Sequence, residues 1–263
     1  MTTAYPTPLT PDLEELLASV PQTAAVDTST IAFDGDGIEF GGFLAKPEGA
    51  ATDARPAVLI ISDWSGLNNH ARVRAEMLAR LGYVALAGDV YGGGEEVDQQ
   101  QAGELAGKFY ADTDLFRAHL AANLERLRAE PGVDPERIAV MGYCFGGSGA
   151  LELARSGADL AGAVSFHGRL ATVSPAAQGS ITAPLLVLTG AADPVVPDDQ
   201  VVDFENELRS ADAPDWQVVS YSGAMHAFTM PGTNAPDHGA MFDATANARS
   251  WVAMRAFFDE IFA

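Results

Sequence analysis

At 263 residues, with 48% apolar side chains, the chain can fill a substantial core as one large domain or two small ones. Its formal net charge of −21, from 36 acidic and 15 basic residues, repels phosphate backbones and anionic membranes and sets nucleic acid and lipid surfaces aside as partners. The single cysteine, Cys144, excludes an internal disulfide and leaves that thiol as a buried filler or a reactive group.

The first 25 residues carry no basic stretch followed by an apolar core, so no secretion signal is expected. No apolar run reaches the length of a membrane span, and a soluble, cytoplasmic protein is the expectation. The only lysines are Lys46 and Lys108. A salt-adapted surface and an Arg-for-Lys genome bias both fit that composition.

In chain order, residues 1–25 read as an added arm with a short helix at 12–19, followed by one domain over 26–263. Residues 31–45, IAFDGDGIEFGGFLA, have the pattern of a hairpin. Asp34 and Asp36 fall in its DGDG turn. That loop lacks the further oxygen ligands and closing Glu of a calcium site, so a tight turn is expected. Continuous runs rich in Val, Ile and Leu at 56–61, 83–90, 137–143, 161–168, 184–190 and 216–221 predict buried strands. Helical patterns fall between them at 70–81, along 97–130, and at 146–155, 198–210 and 247–262. Such alternation predicts a mainly parallel sheet with helices on both faces.

Gly142-Tyr143-Cys144-Phe145-Gly146-Gly147 leaves a predicted strand and opens a predicted helix. This is the setting of a nucleophile elbow, with glycines at ±2 making room for a sharp turn and Gly147 letting the helix approach the sheet. The helix N-terminus aims free N–H groups at the thiol, which favours a thiolate and a developing oxyanion. Asp193 follows the strand in LTGAADPVVP, and His226 follows the last strand in YSGAMHAFTMP. Nucleophile, acid, then histidine is the chain order of α/β-hydrolases. Among the other histidines, His119 is expected to be solvated on a helix, His70 to start a helix, and His238 to sit in a polar loop. His167 ends a strand and is expected to line the substrate pocket. No pair has metal-ligand spacing, so neither a metal nor another cofactor is expected.

Together GFLAKPEG, GYVALAGDVYG, VDPERIAVMGYCFGG and the Asp193 and His226 segments resemble the dienelactone hydrolase family, from about Gly41 to the C-terminus. The resemblance implies an α/β-hydrolase fold and a cysteine esterase or lactonase acting on a small-molecule ester or lactone. Cys144 would form a thioester acyl-enzyme, with His226 oriented by Asp193. The N–H groups of Phe145 and Trp64 would hold the oxyanion. The family carries a Glu in the loop after the first buried strand; Asp63 matches it here and would support Cys144. The family's carboxylate-gripping arginines match Met230 and a stretch near Gly103 that lacks Arg. Together with Phe228, Met230 therefore suggests an apolar pocket that favours neutral esters over carboxylate-bearing dienelactones. A thioesterase or small-peptide hydrolase, or a non-catalytic binding protein, are the other readings compatible with this fold.

Overall fold

The computed structural model describes residues 5–50 and 54–263. Residues 1–4 of the expected arm therefore lie outside the described part. The arm's helix α1 spans Pro11–Ala18, capped by the Thr10 side chain with Pro11 at the first helical position. It is fastened to helix α2 (Asn69–Arg80) by Arg80, whose Nη1 donates to the carbonyls of Leu17 and Val20 at 2.9 and 3.0 Å. Tyr5 adds a hydrogen bond from its hydroxyl to Glu76 at 2.7 Å.

β1 (Val26–Gly35) and β2 (Ile38–Pro47) form the expected hairpin, longer at both ends than the sequence pattern suggested. Its turn places Asp36 and Gly37 at φ 54° and 81°. The Gly37 N–H is held by the Asp34 carboxylate at 3.2 Å. The Asp34 carboxylate thus helps to shape a tight turn.

The remaining strands are β3 (Arg55–Ile61), β4 (Val84–Gly88), β5 (Val133–Tyr143), β6 (Gly162–Phe166), β7 (Leu185–Gly190) and β8 (Trp216–Tyr221). The eight pair in the order β1-β2-β4-β3-β5-β6-β7-β8, parallel throughout except for β1–β2 and β2–β4. The parallel strands are buried on both faces. Along β3, Ala57, Leu59 and Ile61 join one core, while Val58 and Ile60 join the other. The first core lies under α3 (Gln99–Ala111), α4 (Thr113–Arg128), α5 (Phe145–Arg155) and α6 (Asp198–Ser210). The second lies under α1, α2 and α7 (Ala244–Ile261). A short ribbon of β9 (Asn234–Ala235) and β10 (Ala240–Met241) follows β8.

Two expectations change. The helical pattern over 97–130 is two helices, broken at Asp112, which ends α3 and caps the Leu115 N–H of α4. His119 is buried, not solvated: its Nδ1 meets the Val90 carbonyl at 2.6 Å, and its ring packs edge-on to Phe40 and Phe109. The carbonyl satisfies Nδ1, while Nε2 is buried with no hydrogen-bond partner among the described residues; hydropathy patterning cannot anticipate either.

Candidate active site

The strand order reverses its direction of growth at β3, with β4 on one side and β5 on the other. In open α/β sheets such a switch point opens a crevice at the carboxyl ends of the strands. Asp63 and Trp64 leave β3 there, and Cys144 leaves β5.

Cys144 has φ 53° and ψ −115°, a backbone conformation costly for a residue with a Cβ. It is kept because the strand must turn into α5 without an intervening loop. A Cβ on Gly142 would collide with the Gly146 carbonyl, and one on Gly146 with the carbonyls of Ile61 and Ser62. On Gly147 it would crowd Gly168 and Ser165 at 2.9 Å. The glycines of the motif are therefore required by packing, and the turn presents a half-buried sulfur at the start of α5.

His226 comes from the segment after β8. Its backbone is pinned on both sides, N–H to the Gly239 carbonyl and carbonyl to the Met241 N–H, each at 3.0 Å. Its Nε2 stands 3.0 Å from Cys144 Sγ and its Nδ1 2.8 Å from Asp193 Oδ2. Asp193, buried after β7, holds its orientation by accepting the N–H groups of Val195 and Val196 on Oδ1. Burial works against protonation of His226. The hydrogen bonds and charges of Asp193 and Cys144 overcome it and raise its pKa to about 10. Asp193 and the sulfur thus both favour the protonated imidazole.

The N–H groups of Phe145, first residue of α5, and of Trp64 donate to no acceptor among the described residues. The Trp64 carbonyl, in the next peptide along, accepts the Tyr91 hydroxyl at 2.8 Å. The Phe145 ring stacks on Phe116 in the core.

Three sequence expectations need correction. Asp63 spends both oxygens on its own loop, accepting Ser65 N and Oγ at 2.8 and 2.7 Å and Asn68 Nδ2 at 2.6 Å. Among the described residues it makes no hydrogen bond to Cys144, because its short side chain serves as a loop brace. His167 is wholly buried and does not line a pocket. Its Nδ1 accepts the Cys144 N–H at 3.2 Å, a donor shared with the Phe166 carbonyl, and its Nε2–H meets Thr229 Oγ1 at 2.7 Å. Phe228 is buried too, packed on His167 and Tyr221. Met230 is only partly buried.

Sequence reasoning gave no role to Tyr91 and Tyr110. Burial raises the pKa of both, and the nearby charge of Cys144 adds to it. Tyr110 also contacts Ser148 Oγ at 3.2 Å, and its ring lies under the Arg169 guanidinium. The one available signal was the turn GDVYG, where Tyr91 follows a buried strand at the same sheet edge as Asp63.

The dienelactone hydrolase family model matches residues 40–262. The chain belongs to the dienelactone hydrolase family. Solved structures similar to it include m3DLH, 38% identical with a TM-score of 0.85, covering 91% of this chain and all of its own. The dienelactone hydrolase-like promiscuous phosphotriesterase P91, from metagenomic libraries, is 37% identical with a TM-score of 0.83, covering 90% of this chain and 99% of its own. The "Putative carboxymethylenebutenolidase" of Synechocystis sp. is 26% identical over 90% of this chain and 98% of its own length. Membership makes the chain a hydrolase of the carboxylic ester and lactone class with a small-molecule substrate. No helix among the described residues is long and apolar enough to cross a membrane.

Proposed function

We propose that this dienelactone hydrolase relative cleaves esters or lactones through a thioester on Cys144. The reading rests on the line Asp193–His226–Cys144, with contacts of 2.8 and 3.0 Å at a strained elbow. With the imidazolium of His226 as counter-ion, the Cys144 thiolate attacks the carbonyl carbon and forms a C–S bond. The carbonyl oxygen takes up the negative charge and accepts the N–H groups of Phe145 and Trp64, which have no acceptor among the described residues to give up. Collapse breaks the C–O bond. His226 Nε2 protonates the departing alkoxide, then takes a proton from the water that hydrolyses the thioester. Asp193 keeps Nδ1–H in place, so that Nε2 carries each transferred proton.

Neutral acyl and aryl groups are the substrates this site favours. Arg117, one possible cation for a substrate carboxylate, is committed to Glu152 at 2.7 Å and to the Ser174 carbonyl. Arg169 is solvent-exposed over Tyr110, where water screens it and lowers its attraction for an anion. Trp64, Tyr91 and Met230 supply apolar surface.

Turnover of p-nitrophenyl acetate by Cys144→Ala and His226→Ala tests the mechanism. Each variant should lose about 10³-fold or more, because attack and proton transfer act as one unit. Wild-type-like rates in either would overturn it. A parallel series of lactones, thioesters, short peptides and a phosphotriester, the last prompted by P91, assigns the substrate class.

A further inference from the structure

Beneath the N-terminal arm, between α1, α2 and α7, lies a cavity of about 610 Å³, a size that accepts small organic ligands. Leu16, Val20, Met77, Leu81 and Trp251 give it apolar walls. Its lining also carries Asp12, Glu15 and Arg255, together with Arg80, which is paired with Glu76 at 2.8 Å. Its inner end carries Arg74 alone, 1% exposed.

Arg74 is unusual in this acidic chain. A buried cation normally has an anionic partner, since desolvating a lone charge is costly. Here the partners are neutral: His70 Nε2 at 3.2 Å, the Thr229 carbonyl at 3.1 Å and Asn247 Oδ1 at 2.6 Å. The rings of Tyr143 and Trp251 lie 5.3 and 5.1 Å from the guanidinium carbon. Among the described residues, no carboxylate lies within ion-pair distance. An uncompensated cation thus borders one largely apolar chamber.

We propose that this cavity is a second ligand site, for a small monocarboxylate with an apolar tail. The carboxylate would sit on Arg74, and the tail would lie along Leu16, Val20 and Met77. The site is distinct from the crevice at Cys144. Arg74 reaches Thr229 from the cavity side, whereas His167 contacts Thr229 and Cys144 from the other. A carboxylate suits this site better than an alcohol, since only an anion supplies the charge Arg74 lacks.

Calorimetric titration of the full chain with sodium octanoate, at fixed ionic strength, tests the proposal, with 1-octanol as the neutral counterpart. The expected result is one octanoate site, with octanol at least about tenfold weaker. Arg74→Met should weaken octanoate about tenfold or more. Ala248→Trp, an exposed α7 position lining the cavity, obstructs it without touching the core and should abolish binding while keeping ester turnover and the thermal midpoint. If Arg74→Met does not fold, Ala248→Trp still reports the location and octanol still reports the need for charge. Equal binding of octanoate and octanol, undiminished binding to Ala248→Trp, or no saturable binding to the wild type would each overturn it. Calorimetry reads binding directly, so failure of the thioester mechanism would leave this test intact.

Discussion

His167 Nδ1 accepts the backbone N–H of Cys144 at 3.2 Å, so a buried imidazole braces the strained residue from behind. The contact requires that nitrogen to be unprotonated, with the proton on Nε2 facing Thr229. A second proton would set two donors against each other. Burial lowers the His167 pKa well below the ordinary value, and His226, His70 and Arg74 add to the effect.

Acid should therefore destabilise the fold through His167. A folded-state pKa below the unfolded value of about 6.5 means the unfolded chain binds the extra proton. The contribution is complete above about pH 6.5 and is lost as pH falls below it. Between pH 6 and 5, His167→Gln should flatten the slope of unfolding free energy against pH by up to about 1.4 kcal/mol per unit. Denaturant titrations of both proteins across that range measure it; identical slopes would remove His167 as the cause.

His226 has the opposite sign. Its folded value of about 10 lies above the unfolded value. The stabilisation is complete below about pH 6.5 and is lost as pH rises towards 10. The stability gap between wild type and His226→Ala should therefore narrow from pH 6.5 to pH 10, and ester turnover should fall on the alkaline side as the imidazolium loses its proton. A gap that stays constant over this range would mean that His226 is not held as a cation.

Gly146→Ala should cost about 3 kcal/mol or prevent folding, because the new methyl would meet the carbonyls of Ile61 and Ser62, backbone that cannot swing aside. Gly103→Ala is the control. It lies within helix α3, its nearest neighbour would be the Trp64 ring at 3.8 Å, and it should gain about 0.5–1 kcal/mol. Thermal unfolding of both variants checks the contrast.

On substrate choice, kcat/KM should be higher for p-nitrophenyl acetate than for a carboxylate-bearing dienelactone at one pH and ionic strength. Arg169→Ala should change that ratio less than about threefold, since an exposed guanidinium is screened. A dienelactone preference of about tenfold that disappears in Arg169→Ala would show that this arginine grips the carboxylate.

The sequence by itself determined the α/β alternation, the elbow glycines and the order Cys144, Asp193, His226. These are local properties: apolar runs bounded by turns, and side-chain volumes at ±2 from one residue. It also located the short arm helix, whose Thr10 cap and Pro11 start are written within four residues. Only the tertiary structure decided what the buried polar residues do. Asp63 could equally reach the thiol or brace its own loop, and the positions of Ser65 and Asn68 chose the loop. His167 was expected in the pocket because it ends a strand, but a positive φ of 41° turns it beneath Cys144. Arg74 sits on a helix with unremarkable periodicity, 155 residues before Thr229 and 173 before Asn247. Partners that far apart in the chain leave no spacing to read, because folding alone brings them into hydrogen-bonding distance.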